Sequence, residues 1–318
     1  MRPHGVMFHY FHNERHTAGE GSLGAEELAE IIRHLGPQRI LRASRWFQHA
    51  LDGSLHPEEI CLTFDDNLRC QYDVALPVLQ DFGLTAFWFI PTAVLQGGLS
   101  RLEIYRRFRV ECFPEVNDFY EAFFRTLATS NFAGRVEDAL RDFDPVSYLA
   151  EYPFYSEADR RYRYVRDEIL APEEFNAVMD MLIGARGMKL EELAGQLWME
   201  PHHLRRLHSE GHVIGLHTHM HPTRLERLSP QEQLREYRDN LGALQALLGE
   251  APRVMAHPCN SYNAETLKIL ERLDVRIGFR SNNKQVEYSP LEYPREDAAN
   301  ILRDIRRGAV ATVSHSSY

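Results

Sequence analysis

Ile60-Cys61-Leu62-Thr63-Phe64-Asp65-Asp66 decides how this chain reads: a short apolar run, preceded by Pro57-Glu58-Glu59, that stops at two adjacent carboxylates. An apolar run of this length is a buried strand, and strands of α/β folds present reactive side chains at their carboxyl ends. Successive strand residues point to opposite faces, but past the strand end the alternation breaks, so Asp65 and Asp66 can lean into one cleft. Close carboxylates repel unless a cation lies between them or one holds a proton. A metal ligand beside a general base fits that arrangement, as does an Asp-Asp turn capping the next helix.

The 318 residues are 44% hydrophobic and 11% aromatic, enough for a large core. Lys and Arg number 36 against 46 Asp and Glu, a formal charge of −10 that argues against nucleic acid as a partner. The start, Met1-Arg2-Pro3-His4-Gly5-Val6-Met7-Phe8-His9, is too short an apolar run for a signal sequence or a membrane span, so the expected location is cytoplasmic. Cys61, Cys70, Cys112 and Cys259 show no C-x-x-C pairing and read as buried free thiols.

Along the chain, Gly5–His12 reads as a first strand with His9 and His12 near its exit, and Glu26–Leu35 as a helix stopped by Gly36-Pro37. After the carboxylate strand come a helix over Val74–Leu79 and a strand over Thr85–Ile90, which complete a βαβ unit. Between about 99 and 200, Phe119, Phe123, Phe124 and Leu127, then Phe175, Val178, Met179 and Leu182, fall at helical spacing. This stretch is a helical insertion, either a packing module or a lid that covers the barrel mouth. Strand signals return at Val213–Leu216, followed by helical Pro230–Leu248, Arg253–Ala256 running into His257-Pro258, helical Thr266–Leu273 and strand-like Val275–Phe279. Such alternation predicts an α/β parallel sheet or barrel with its loops grouped at one end.

Gly215-Leu216-His217-Thr218-His219-Met220-His221-Pro222 places three histidines at a strand exit. His217 and His221, four apart, can aim at one point, and Asp66 would make a third donor. Three protein donors leave coordination positions for water and substrate, as catalytic zinc requires. A lone HxxxH is more often surface histidines.

Thr63-Phe64-Asp65-Asp66, Leu76-Pro77-Val78-Leu79, Ala86-Phe87-Trp88-Phe89-Ile90-Pro91-Thr92 and Gly211-His212-Val213-Ile214-Gly215-Leu216-His217-Thr218-His219-Met220-His221-Pro222 together resemble the NodB-homology polysaccharide deacetylases, carbohydrate esterase family 4. The resemblance covers about residues 5–98 and 200–300, with the helical insertion at 99–200 inside a single barrel spanning 1–318. It implies a deformed (β/α) barrel, with Asp65 as general base and Asp66, His217 and His221 as ligands of one divalent metal, zinc first and cobalt, nickel or iron as alternatives. His219 points away as a packing or rim residue.

Departures from the family pattern mark the substrate side. Asn67 stands where the family has Gly. Met255-Ala256-His257-Pro258-Cys259-Asn260 replaces a stretch resembling Phe-Ala-Tyr-Pro-Tyr-Gly, so His257, Pro258, Cys259 and Asn260, with Asn67 and His12, are the candidate substrate contacts. The arginine that orients the base in many relatives is missing from this motif, and Arg295 in Tyr293-Pro294-Arg295-Glu296-Asp297 is the substitute, an ordinary surface arginine the alternative. No late Leu-His supplies the leaving-group acid. Val6-Met7-Phe8-His9 resembles the start of circularly permuted members, which makes His9 the expected acid and His12 its competitor. The expected function is removal of an N-acyl group, chiefly acetyl, from an amino sugar of a cytoplasmic glycan precursor or saccharide. A deformylase or hydrolase of another non-peptide amide, and a sugar-binding pseudoenzyme, are the competing readings.

Overall fold

The computed structural model describes residues 2–149, 156–284, 286–287 and 289–315, with side chains described to residue 308. Residues 150–155 of the expected insertion and 316–318 of the chain end lie outside the described residues. The chain divides into two compact units, Met1–Ser100 with Gln196–Tyr318, and Arg101–Gly195.

Among the described residues the first unit holds seven parallel strands: β1 His4–Phe8, β2 Ile60–Phe64, β3 Phe87–Ile90, β4 Val213–Leu216, β5 Val254–Ala256, β6 Ile277–Phe279 and β7 Arg295–Asp297. Their order is β6-β5-β4-β3-β2-β1-β7. The row curls towards closure, because the residues leading into β7 also pair with β6 through a Phe279–Tyr293 bridge, while Gly5 pairs with Arg295. Gly278 makes that seam possible. A Cβ there would sit 2.3 Å from the Leu291 carbonyl oxygen, whereas glycine lets its N–H donate to Pro290 O and its carbonyl accept from Tyr293 N–H, at 2.9 and 2.8 Å. The result is the NodB-type (β/α) barrel.

Period-two alternation sorts the strand residues into two cores. Val6, Phe8, Leu62, Phe64, Trp88, Ile90, Ile214, Leu216 and Met255 join a cluster with the surrounding helices. Cys61, Phe87, Phe89, Val254, Ala256, Ile277 and Phe279 join the other, with Trp46. Trp46 comes from α2 Ala43–Asp52, which follows α1 Ala25–Leu35; the remaining helix before the second unit is α3 Leu76–Asp81, continuous with a π-helical turn over Gln71–Ala75. The second unit contains α4 Arg101–Cys112, α5 Val116–Ala128, α6 Ala133–Arg141, α7 Glu157–Tyr164, α8 Pro172–Ala185 and α9 Leu190–Ala194. Its aromatic core gathers Phe119, Phe123, Tyr162 and Phe175, with ring centroids 5.0–6.5 Å apart. Back in the first unit, α10 is Pro201–Ser209, α11 Pro230–Leu248, α12 Ala264–Arg272 and α13 Ala298–His315. One sequence expectation needs correction. The thiols are not uniformly buried: Cys61 is, but Cys259 is exposed. The segment after Phe279 adds strand β7 and the long helix α13, neither of which the periodicity announced.

Candidate active site

All seven strands run the same way, so the residues leaving β1, β2, β4 and β5 meet at one end of the barrel. Alternation that turns Cys61 inward carries Asp65 inward as well, and its carboxylate is 2% exposed. Arg295, on β7, meets it with a two-pronged fork: Nη1 donates to Oδ1 and Nη2 to Oδ2, both at 2.7 Å. The guanidinium is itself fixed, its Nε donating to Arg280 O at 2.7 Å and Nη1 to Thr63 Oγ1 at 3.2 Å. Gly5 leaves it room, since a Cβ there would lie 3.1 Å from Arg295 Cγ. At 1% exposure Arg295 is no surface arginine. Burial pushes the Asp65 carboxyl upward, but the Arg295 guanidinium outweighs it with help from His217, and the net position is below the usual carboxylate value.

Asp66 turns back with φ 77°. Its Oδ1 lies 3.4 Å from His217 Nε2 and 3.2 Å from His221 Nε2. Burial raises its carboxyl, but in the metal-free protein the His221 charge, followed by protonated His217, outweighs burial and leaves it well below the ordinary range. Donor atoms of Asp66, His217 and His221 lie within 4.8 Å of one another, and they form the one such candidate cluster among the described residues. His217 Nδ1 donates to Ala256 O at 2.9 Å, which fixes the tautomer and leaves Nε2 with a lone pair facing the cluster. The donor set, two imidazoles and one carboxylate, fits a borderline-soft divalent ion.

The turn that carries both imidazoles uses positive φ at Thr218 (61°) and His221 (57°). Helix α11 holds it. Asn240 Oδ1 accepts the His217 N–H at 3.0 Å, while its Nδ2 donates to Ile90 O and Thr92 Oγ1 at 2.9 and 3.0 Å. One turn earlier on α11, Glu236 Oε2 accepts the N–H groups of His219 and Met220 at 3.0 and 2.8 Å. His219 Nδ1 hydrogen-bonds Thr92 Oγ1 at 2.9 Å, away from the cluster. Nothing in sequence singled out Glu236 or Asn240: on an amphipathic helix both look like surface polar residues.

His9 leaves β1 with its Nε2 3.8 Å from Asp65 Oδ2 and 3.8 Å from Asp66 Oδ2, its side chain 28% exposed. His12 instead bonds Ser22 Oγ at 3.0 Å and makes no contact with either aspartate. Of the expected substrate contacts, Asn67 and His257 have no exposed surface. Asn67, at φ 59°, donates to Met199 O at 3.2 Å, and His257 donates to Leu291 O at 2.9 Å and stacks on Tyr262 at 4.0 Å. Both are therefore corrected from substrate contacts to structural residues. Pro258 is buried too; Cys259 is exposed and Asn260 half-buried, both with left-handed backbone. Asn260 Oδ1 is engaged by the Ser281 N–H at 3.0 Å.

Residues 179–278 match the family model for polysaccharide deacetylase, a span that contains His217 and His221 but begins beyond Asp65 and Asp66. No curated protein matches the chain. Solved structures share its fold: Streptococcus pyogenes deacetylase PplD in complex with acetate, at TM-score 0.56 and 15% identity over 95% of this chain and 97% of that one; IcaB from Ammonifex degensii, at 0.53 and 13% over 92% and 90%; and the BpsB deacetylase domain from Bordetella bronchiseptica, at 0.51 and 12% over 92% and 94%.

Proposed function

Starting from a chain with the NodB-type polysaccharide deacetylase fold, we propose a metal-dependent hydrolase that removes the N-acetyl group from an amino sugar of a glycan or glycan precursor. One observation carries this reading: a buried carboxylate kept ionised by a bidentate arginine stands beside a cluster of two imidazoles and a second carboxylate. A sugar-binding module has no use for that pair. Acetate in the PplD structure supports acetyl as the acyl group.

Asp66, His217 and His221 would hold the ion, zinc by donor type, which when bound supplies Lewis acidity toward the amide carbonyl and toward water. The chain's own residues then divide the proton work. Asp65, ionised at neutral pH, takes a proton from the water whose oxygen bonds to the carbonyl carbon. Arg295 keeps both carboxylate oxygens aligned for it. His9 gives a proton to the amide nitrogen as the C–N bond breaks, because an unprotonated amine leaves poorly. Acetate and the free amino sugar result.

The test is product release from the zinc- or cobalt-loaded protein with a panel of N-acetyl and N-formyl amino sugars, nucleotide-linked, lipid-linked and polymeric. Acetate release supports the proposal, and turnover of nucleotide- or lipid-linked substrates alone would place the reaction on a glycan precursor. Formate release would favour a deformylase, and binding without release would reduce the chain to a sugar-binding protein.

A further inference from the structure

The parallel ladder between β1 and β2 ends at Phe8 and Phe64. One last backbone bond reaches past it, Asp65 N–H to Phe8 O at 3.2 Å. His9 and Asp65 are the first residues beyond the ladder, where two strand exits would ordinarily diverge into separate loops. A single side chain ties them. Gln71 has no exposed surface, and its Nε2 donates both hydrogens to main-chain carbonyls, Asp65 O at 2.6 Å and His9 O at 2.8 Å.

Two features separate this from ordinary loop packing. The amide orientation is forced, since the reverse would aim an oxygen at two carbonyl oxygens. Gln71 also opens the π-helical turn Gln71–Ala75, a conformation frequent at functional sites. That turn, rather than a regular α-helical start, is where the tie to both exits is made.

We propose that Gln71 is a positioning residue, which sets the spacing between His9 and Asp65 by extending the β1–β2 pairing one residue beyond the ladder. The proposal rests on the reading of Asp65 as base and His9 as acid. Gln71 touches neither substrate nor the reacting atoms. It acts through the backbone of the two residues that do.

Gln71→Met keeps the volume and removes both donors. The expected result is a folded protein with wild-type metal content and melting temperature within a few degrees, KM within about twofold, and kcat reduced about 10- to 100-fold, the scale of a misplaced catalytic group. Wild-type kcat overturns the proposal, and so does a loss of activity that merely tracks loss of metal. Should the methionine variant not fold, Gln71→Asn keeps the amide but is one methylene too short to span both carbonyls, and the same split between kcat and KM is expected. A crystal structure of either variant provides a readout independent of turnover. The separation of His9 Nε2 and Asp65 Oδ2, 3.8 Å in the native protein, should change; an unchanged separation overturns the proposal. If the native enzyme hydrolyses no N-acyl sugar, the deacetylase reading fails while this structural arm still reports on the tie.

Discussion

The two halves of the site are held by different means. On the strand-exit side, Asp65 is gripped by a charged side chain, the Arg295 fork on β7, buried with it. On the turn side, His217 and its neighbours are held by their backbone, through N–H groups that Asn240 and Glu236 of α11 accept. Charge is used where reactivity must be tuned, because a guanidinium beside a buried carboxylate sets its protonation state. Hydrogen bonds to the main chain are used where direction matters and the imidazoles themselves must stay uncharged to offer lone pairs.

That contrast breaks most sharply by deletion. His217→Ala with His221→Ala should leave no measurable metal and only background turnover. Asp65→Asn should keep the metal while kcat falls about 10²- to 10⁴-fold, the usual contribution of a general base. Metal analysis beside steady-state kinetics checks both, and full metal content in the double histidine variant would end the assignment of the cluster. On the same side as Asp65, His9→Ala should cost about 10²-fold or more with metal retained, and His12→Ala should stay within about twofold, since His12 bonds Ser22 instead. Equal losses in the two would return the acid role to an open question.

Arg295→Met tests the charge side alone. It leaves Asp65 buried without its counter-charge, a loss of about 3–5 kcal/mol in a denaturant titration. The sign of the kinetic effect follows from the native shift. Asp65 sits below the ordinary carboxylate value because Arg295 outweighs burial, so with the arginine gone burial prevails, the carboxyl rises, and the acid limb of kcat/KM should move to higher pH.

What the sequence revealed and what it concealed follow the same division. Asp65-Asp66 and His217-Thr218-His219-Met220-His221 are contiguous and their residue types are unusual at strand exits, so chemistry alone draws attention to them. Their supports are scattered: Gln71, Asn240 and Glu236 are ordinary polar residues in helical segments, and only the fold shows that they face inward. Strand β7, Arg-Glu-Asp, has no apolar residue and so no strand signature; its place is set by pairing with β1 and by the Gly278 seam. Asn67 and His257 misled because they occupy motif positions, yet both side chains are buried and each donates to the main chain, to Met199 O and Leu291 O.

Asn240→Ala probes the turn side without touching a ligand. Three bonds are lost, to His217 N, Ile90 O and Thr92 Oγ1, and metal affinity should weaken about 10- to 100-fold. Competition with a chelator measures it. Unchanged affinity would mean that the 217–221 turn keeps its shape without α11.

The remaining effect lies beneath the turn side, in the strand that leads to it. His212, just before β4, accepts two hydrogen bonds at Nδ1, from Ala86 N–H at 3.0 Å and from the Trp88 indole N–H at 3.1 Å. It must be neutral to do so, and burial lowers its pKa to about 4 although Glu210 pulls the other way. Unfolded, the same imidazole titrates near 6.5. The unfolded chain therefore binds the proton first as pH falls, so the contribution of His212 is complete above about 6.5 and is lost down to about 4, at up to ~1.4 kcal/mol per pH unit. Asp65, also depressed, loses its contribution only below the ordinary carboxylate value near 3.9. The two sides of the site should thus fail in different pH windows. His212→Asn keeps an acceptor near the position of Nδ1 but cannot be protonated, so its unfolding free energy should vary less than the native protein's between pH 6.5 and 4 and run parallel to it at lower pH. Parallel curves throughout would mean that His212 is not the group that titrates in the upper window.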